Sequence, residues 1–363
     1  MEPKRLLSLD AFRGFTIDAM ILVNYPGSWS HVYPPLLHAP WNGLTPTDLI
    51  FPFFLFIVGV SISLAYTKLR QKGISKKSLY GKILFRTLKI FLVGLLLNYI
   101  HHFQLDELRY AGVLQRIAIV FLVCSLLYLN LKWRAQLYIG AGILILYWLV
   151  MVLIPTPGYA RPMLEPGANL AAWIDSQFLP GKLWQETWDP EGILSTFPAM
   201  VSCIMGMLTG QLILGKKEQE SKINWMFLLG TLALISGYVW SWFFPVNKNL
   251  WTSSYVLVTG GMAMLVLAAC IFRVDMHNNT YFARLGIVFG SNAITIYVLA
   301  DVLSFIFNQM PLGGSSLNVH FVALANDTFF SHKFLSLLYA MLYVGLMYMP
   351  AWWLYKRKIF IKL

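Results

Sequence analysis

Charged side chains are scarce in this chain of 363 residues: 16 Asp and Glu with 28 Lys and Arg, together 12%. A soluble domain is about a quarter charged, so a water-facing globule and a highly charged disordered chain are both excluded. Cysteine is nearly absent too. The three, Cys124, Cys203 and Cys270, are widely spaced within apolar runs, which fits neither a disulfide framework nor a zinc pattern. No repeat with a period of about 20 to 50 residues is present, which excludes a solenoid. No inverted duplication relates the two halves. No small-residue cleavage site follows MEPKRLLSLD, so the first apolar run is expected to stay in the mature protein.

What the chain has in plenty is apolar length. Hydrophobic residues make up 58% of it. They form runs of about 17 to 25 residues, each sufficient to cross a hydrocarbon core of about 30 Å. The pattern predicts an all-α, polytopic membrane protein with about ten transmembrane helices. These are placed at 10–27, 47–67, 87–104, 111–131, 135–154, 191–214, 225–244, 251–272, 284–308 and 333–355. Residues 1–363 read as a single transmembrane domain. Its long outer loop, 155–190, exceeds an ordinary connection and is suited to covering a site.

A net charge of +12 raises the question of nucleic acid, and the positions of the basic residues answer it. Lys4, Arg5, those of 68–86, Lys89, Lys132, Arg134, Lys216, Lys217, Lys222, Arg273, Arg284, Lys356, Arg357, Lys358 and Lys362 fall on one side of the spans. The other side has Arg109, Arg161, Lys182, Lys248 and Lys333. That asymmetry is the positive-inside pattern, and it places both termini in the cytoplasm. The basic surplus orients the chain in a lipid bilayer; no nucleic-acid site is expected.

Arg13 and Arg116 are the basic residues left inside spans, joined by Asp10, Asp18 and Asp301, with Asp48 at the outer start of the second span. A charge at mid-membrane costs at least about 2.5 kcal/mol on insertion scales, so each needs a partner or a wet cavity. Along SLDAFRGFTIDAMILVN, a step of about 100° per residue from Asp10 puts Arg13 at about −60°, Asn24 at about −40° and Asp18 at about +80°. These groups share one side over about 20 Å of helix. The bland reading makes Asp10–Arg13 an interfacial ion pair and Arg116 a partner of Asp48 or Asp301. A line of polar groups ending near His38 favours the wall of a polar passage.

Four segments are informative together: LLSLDAFRGFTIDAMILVNYPG, HAPWNGLTPTDLIFPFFLFIVGVS, GVLQRIAI and WDPEGILSTFPA. They resemble the heparan-α-glucosaminide N-acetyltransferase family of multi-pass membrane proteins, which has many bacterial members, and the resemblance covers essentially the whole chain. It implies a transmembrane acetyltransferase that takes acetyl from cytosolic acetyl-CoA and delivers it to the amino group of a glucosamine on the far side. It also implies that the essential histidine of the His-x-x-Trp-Asn-Gly-Leu-Thr stretch is His38. The asparagine of Val-Asn-Tyr then maps onto Asn24, and the aspartate of Thr-x-x-Asp-Leu onto Asp48. The implied location is a bacterial inner (cytoplasmic) membrane.

The chemistry fits these residue types. Transfer from a thioester needs a group that takes the proton of the attacking amine, and donors for the oxyanion. Histidine, with an ordinary pKa of about 6.5, suits the first task at neutral pH. Asn24 and Asn42 suit the second. Asp48, ten residues after His38, is spaced to orient the imidazole as in a triad. Direct attack in a ternary complex and a covalent acetyl-histidine both stay open.

Acetyl-CoA is too large and too anionic to cross whole, so it is expected to enter from the basic inner face with its pantetheine arm in the passage. Arg5, Arg13 and Arg116 are candidate cofactor contacts, as is Asn292 in FGSNAITIY. Trp41 and Asn42 beside His38, with Asp189 and Glu191 at the outer mouth of the sixth span, are candidates for the acceptor. The alternative for the last two is structural, because Pro190 suits a helix start and Glu191 suits the helix dipole there.

No metal is expected. His101 and His102, with Asp106 and Glu107 nearby, read as interfacial, since adjacent histidines face different sides of a helix. His31 lacks a motif, and His277, His320 and His332 read as surface. Two other classes stay in play: a proton-coupled amino-sugar transporter using the same carboxylates with His38, and a membrane O-acyltransferase acting on an envelope glycan. The missing inverted repeat counts against the transporter. A hydroxyl acceptor needs stronger base help than an amine. The expected partners are acetyl-CoA, an amino-sugar or glycan acceptor and the bilayer, and a homodimer is left open.

Overall fold

The computed structural model describes residues 6–100, 103–104, 107–281, 283–311 and 313–361. Lys4, Arg5, His101, His102, Asp106 and Lys362, named above, lie outside the described residues. Among the described residues the regular secondary structure is helical and there is no strand. The α-helices are α1 (Leu7–Asn24), α2 (Ile50–Gln71), α3 (Lys76–Ile100), α4 (Val113–Asn130), α5 (Trp133–Leu153), α6 (Leu170–Phe178) and α7 (Ile193–Leu214). They continue with α8 (Gln219–Trp240), α9 (Ser253–Cys270), α10 (Arg284–Ser291), α11 (Ala293–Asn308), α12 (Leu317–Ala323) and α13 (His332–Lys356).

Among the described residues, eight helices are long and apolar enough to cross a membrane, and α10 with α11 makes a ninth if the bent pair is one span. Where the first span is expected stands α1, whose 18 residues include Asp10, Arg13 and Asp18. The all-α polytopic expectation therefore stands, with differences at the ends. α3 begins at Lys76 rather than near 87, because the stems of its lysines and Arg86 extend an apolar helix while their charged heads stay outside. The ninth span is broken, not straight: α10 and α11 meet at 82°. The loop 155–190 contains a short helix of its own, α6, whose N-cap Asn169 accepts the Ala172 N–H at 2.9 Å.

The helices form two compact units. Of the described residues, the first comprises those of Pro40–Leu44 and Phe51–Ala268; the second comprises those of 6–39, Thr45–Ile50 and 269–361. In the first, a Cβ on Gly59 would collide with the Cys203 carbonyl and one on Gly206 with the Phe56 carbonyl, so α2 and α7 meet backbone to backbone. α5 and α8 pack against α7 and α3 packs against α4, and these three helices expose Leu84, Phe85, Leu88, Leu146, Leu232 and Ile235. Such faces suit hydrocarbon, which is as apolar as leucine.

The second unit is built on an equally close crossing. Gly14 on α1 abuts Gly286 on α10, and Gly290 abuts the Asp10 carbonyl. The start of α1 is capped at a distance: Leu7 and Ser8 donate their N–H groups to the two oxygens of Asp275, each at 3.2 Å. Asp275 lies in the π-helical turn Ile271–Met276 that extends α9. α1 also lies against the 3-10 turn Pro46–Leu49, which carries Asp48.

Candidate functional site

The second unit holds the histidine. Thr45 and Asp48 form a capping box at the start of the turn that leads into α2. Asp48 Oδ2 accepts the Thr45 N–H at 3.0 Å, the Thr45 hydroxyl at 2.9 Å and the Ala39 N–H at 3.1 Å. Its Oδ1 is 2.7 Å from His38 Nδ1. The Asp48 side chain is 1% exposed and the imidazole 48%. A buried, fully bonded carboxylate thus holds an exposed imidazole by one nitrogen. With Nδ1–H given to Asp48, Nε2 is the nitrogen placed to take a proton.

The other predicted residues of this unit are distributed along its helices. Asn24 is the last residue of α1 and is exposed. Arg13 Nη1 lies 3.4 Å from Asp10 Oδ1 and 3.4 Å from the Gly290 carbonyl, so the interfacial ion pair is present. Asn292 sits at the break between α10 and α11. Its Nδ2 donates to the Ile359 carbonyl at 2.9 Å and its Oδ1 accepts the Ile361 N–H at 2.8 Å. Both ends of that carboxamide clamp the carboxyl-terminal tail. His31 stacks on His332 with ring centroids 4.9 Å apart.

The first unit holds the remaining candidates. Trp41 donates its indole N–H to the Leu164 carbonyl at 2.9 Å and packs edge-on against Trp188 at 5.2 Å. Asn42 Oδ1 accepts from Asn247 Nδ2 at 3.1 Å, and Gly43 N–H donates to the Val246 carbonyl at 2.8 Å. The two carboxylates before α7 converge on one arginine. Arg109 Nε and Nη2 donate to Asp189 at 2.7 and 2.5 Å, and Nη2 also reaches Glu191 at 2.5 Å. Burial opposes the Arg109 charge, but Asp189 and Glu191 outweigh it and hold its pKa above the ordinary arginine value.

The cap of α7 is a third carboxylate. Asp175 Oδ1 accepts the Ile193 N–H at 2.8 Å. Gly192 makes room for it, since a Cβ there would overlap the carboxylate. Burial pushes the Asp175 carboxyl up to about 7, against the Ile193 hydrogen bond, which lowers it. Arg116, 1% exposed, has no carboxylate as a hydrogen-bond partner among the described residues, so it does not pair with Asp48 or Asp301. It donates to the Gly192 carbonyl at 3.2 Å and Ser195 Oγ at 2.5 Å, and lies over the Trp251 ring at 5.2 Å. Among the described residues, no group of three or more His, Cys, Asp or Glu is arranged to hold a metal.

Sequence reasoning did not single out Asp175, Asn247 or the role of Arg109. Arg109 carried one signal, a cation on the side where the sequence has few basic residues. Asp175 and Asn247 carried none, because their partners lie in distant segments.

Fold and site together define a polytopic helical membrane protein with a carboxylate-oriented histidine at the start of a span. The comparisons with known proteins narrow that class. The family described as heparan-alpha-glucosaminide N-acetyltransferase, catalytic, matches residues 5–238, and the chain belongs to it. The human heparan-alpha-glucosaminide N-acetyltransferase is 32% identical over 364 residues, covering 83% of this chain and 53% of the human protein. The mouse protein of the same name is 29% identical over 421 residues, covering 99% of this chain and 60% of its own length. The chain thus spans somewhat over half the length of these curated relatives.

Proposed function

We propose that this chain is a transmembrane acetyltransferase that moves acetyl from cytosolic acetyl-CoA to the amino group of a glucosamine-type sugar on the outer side. It would act as one transmembrane domain in a bacterial inner membrane, with both termini cytoplasmic. The observation that carries the reading is the 2.7 Å contact between Asp48 and His38 Nδ1. It is the geometry of an acid–base histidine held in one tautomer.

In the proposed reaction the amine nitrogen attacks the thioester carbon and His38 Nε2 takes its proton. The carboxamide of Asn24 donates to the oxyanion, and the imidazolium is stabilised by Asp48. Collapse breaks the C–S bond, and His38 returns the proton to the departing thiolate. The products are the N-acetylated sugar and CoA. Arg5 and Arg13 are proposed to meet the CoA phosphates, and Asn42 the acceptor. Trp41, Arg109, Asp189 and Glu191 we assign to holding the outer loop, and Asn292 to holding the tail. Arg116 we assign to the start of α7.

The test is mass spectrometry of purified protein given acetyl-CoA and a panel of amino sugars. An acetylated amine at the expense of acetyl-CoA is the expected result. An O-acetylated product would move the chain to the O-acyltransferase class. Uptake of unmodified sugar by vesicles without acetyl-CoA would make it a transporter.

A further inference from the structure

The end of α1 is held in place by side chains. Pro26 has no N–H, so the Leu22 carbonyl has no donor four residues on, and the last turn closes through the Tyr25 N–H to Ile21 at 3.3 Å. The next two N–H groups turn away to α13: Gly27 donates to the Ser336 carbonyl at 3.2 Å and Ser28 to Ser336 Oγ at 2.9 Å. A helix end so weakly closed by its own ladder frays unless it is anchored. The anchor is Tyr25. Its side chain is buried and its hydroxyl donates to Asp301 Oδ1, on α11, at 3.0 Å.

The acceptor is itself fixed. The Tyr343 ring lies 5.2 Å from that of Tyr25, and its hydroxyl donates to the Ala300 carbonyl at 2.5 Å, one residue before Asp301. Tyr339 stacks on Tyr343 at 6.5 Å and donates to Asn308 Oδ1 at 2.6 Å. Two hydroxyls from α13 therefore pin α11, and α11 offers a carboxylate to the end of α1. A phenylalanine would fill the space of Tyr25 without needing a carboxylate inside the membrane, which is an expensive group to keep there. The hydroxyl and carboxylate together fix a position, and the residue next to it is Asn24.

We propose that Tyr25 and Asp301 are positioning residues for acetyl transfer: their hydrogen bond fixes the end of α1 and with it the Asn24 carboxamide that donates to the oxyanion. The inference rests on the acetyltransferase reading above. A misplacement of about 1 Å at such a donor is enough to lower turnover strongly.

Steady-state kinetics of purified variants test it. Tyr25→Phe and Asp301→Leu should each lower kcat about 5- to 10-fold, with KM for acetyl-CoA within about twofold, since one hydrogen bond is lost away from the cofactor. Asp301→Asn keeps a carbonyl acceptor and should stay near wild type. Asn24→Ala combined with Tyr25→Phe should lose no more than Asn24→Ala alone, because one acts through the other. Wild-type kcat in Tyr25→Phe, fully additive losses in the double variant, or a fall confined to Asp301→Asn would overturn the positioning and leave the acetyltransferase reading standing. Full activity in Asn24→Ala would overturn the positioning together with the role given to Asn24. Should the wild-type protein transfer no acetyl, the reading falls. The anchor is then judged by a spin label on Asn24→Cys, whose motion Tyr25→Phe must increase.

Discussion

Removing the His38 imidazole leaves Asp48 bonded to Thr45 and Ala39, so the start of α2 keeps its cap. His38→Ala should therefore fold normally and lose acetyl transfer by at least about a hundredfold, the lower end for a general base. A well-folded His38→Ala protein working at near wild-type rate would sink the scheme. Asp48→Asn keeps the shape but withdraws the charge behind the imidazolium and brings an NH2 group among existing donors. Turnover should fall and the pH–rate profile should move. Arg109 is a residue of the opposite kind, structural by its contacts. Asp189 is 0% exposed in its side chain and faces the Arg109 guanidinium in a two-point fork. Arg109→Ala leaves that buried carboxylate its hydrogen bonds from the Trp184 and Glu191 N–H groups but removes its opposite charge, and should cost about 3 kcal/mol in denaturant unfolding. Arg109→Lys, which keeps charge and loses the fork, should cost less. Equal stability of Arg109→Ala and wild type would return Asp189 and Glu191 to the list of acceptor contacts.

At the scale of elements, periodicity and length made the spans legible, because a helix in lipid must satisfy its backbone internally and announces itself as a long apolar run. The ends were less legible. α1 stops at Asn24 because of Pro26, and the break at Asn292 lies in a sequence, FGSNAIT, without a proline to mark it. The short α6 lay hidden in the outer loop, since nine residues of modest apolarity resemble any loop segment. The His38–Asp48 pair was readable because both partners sit in one motif ten residues apart. The Asp175 cap joins segments 18 residues apart across a loop, and no local pattern points to it.

That cap gives the element its own pH dependence. Burial holds the folded-state carboxyl of Asp175 at about 7, above its ordinary value of 3.8. Between those values the folded state binds the extra proton, so stability is fully present below 3.8 and is lost as pH rises through about 7. Asp175→Asn keeps an acceptor for the Ile193 N–H and removes the titration. Thermal unfolding from pH 5 to 8 should fall more steeply for wild type than for Asp175→Asn. Parallel profiles would show that Asp175 does not titrate in this window.

For the whole molecule the open quantity is orientation, which decides from which side each substrate arrives. The distribution of basic residues predicts that the loop 155–190 lies outside, opposite the amino-terminal and carboxyl-terminal cations. A cysteine introduced into that loop reports on this directly if its site is exposed and unstrained. Gly167 is unsuitable, because its φ is +71° and a Cβ there would meet Thr187 Oγ1 at 2.8 Å. Ala160 is exposed and carries a Cβ already, so Ala160→Cys should leave the loop undisturbed. Of the native cysteines, Cys124 and Cys203 are buried and Cys270 is partly exposed, so a Cys270→Ser background removes the competing thiol. In intact cells Ala160→Cys should react with an impermeant maleimide, whereas a cysteine at Ser75, in the predicted inner loop, should react after lysis. The reverse pattern would place His38 on the cytoplasmic side. Donor and acceptor would then meet within one compartment, and the polar line along α1 would no longer be needed to carry an acyl group across the membrane.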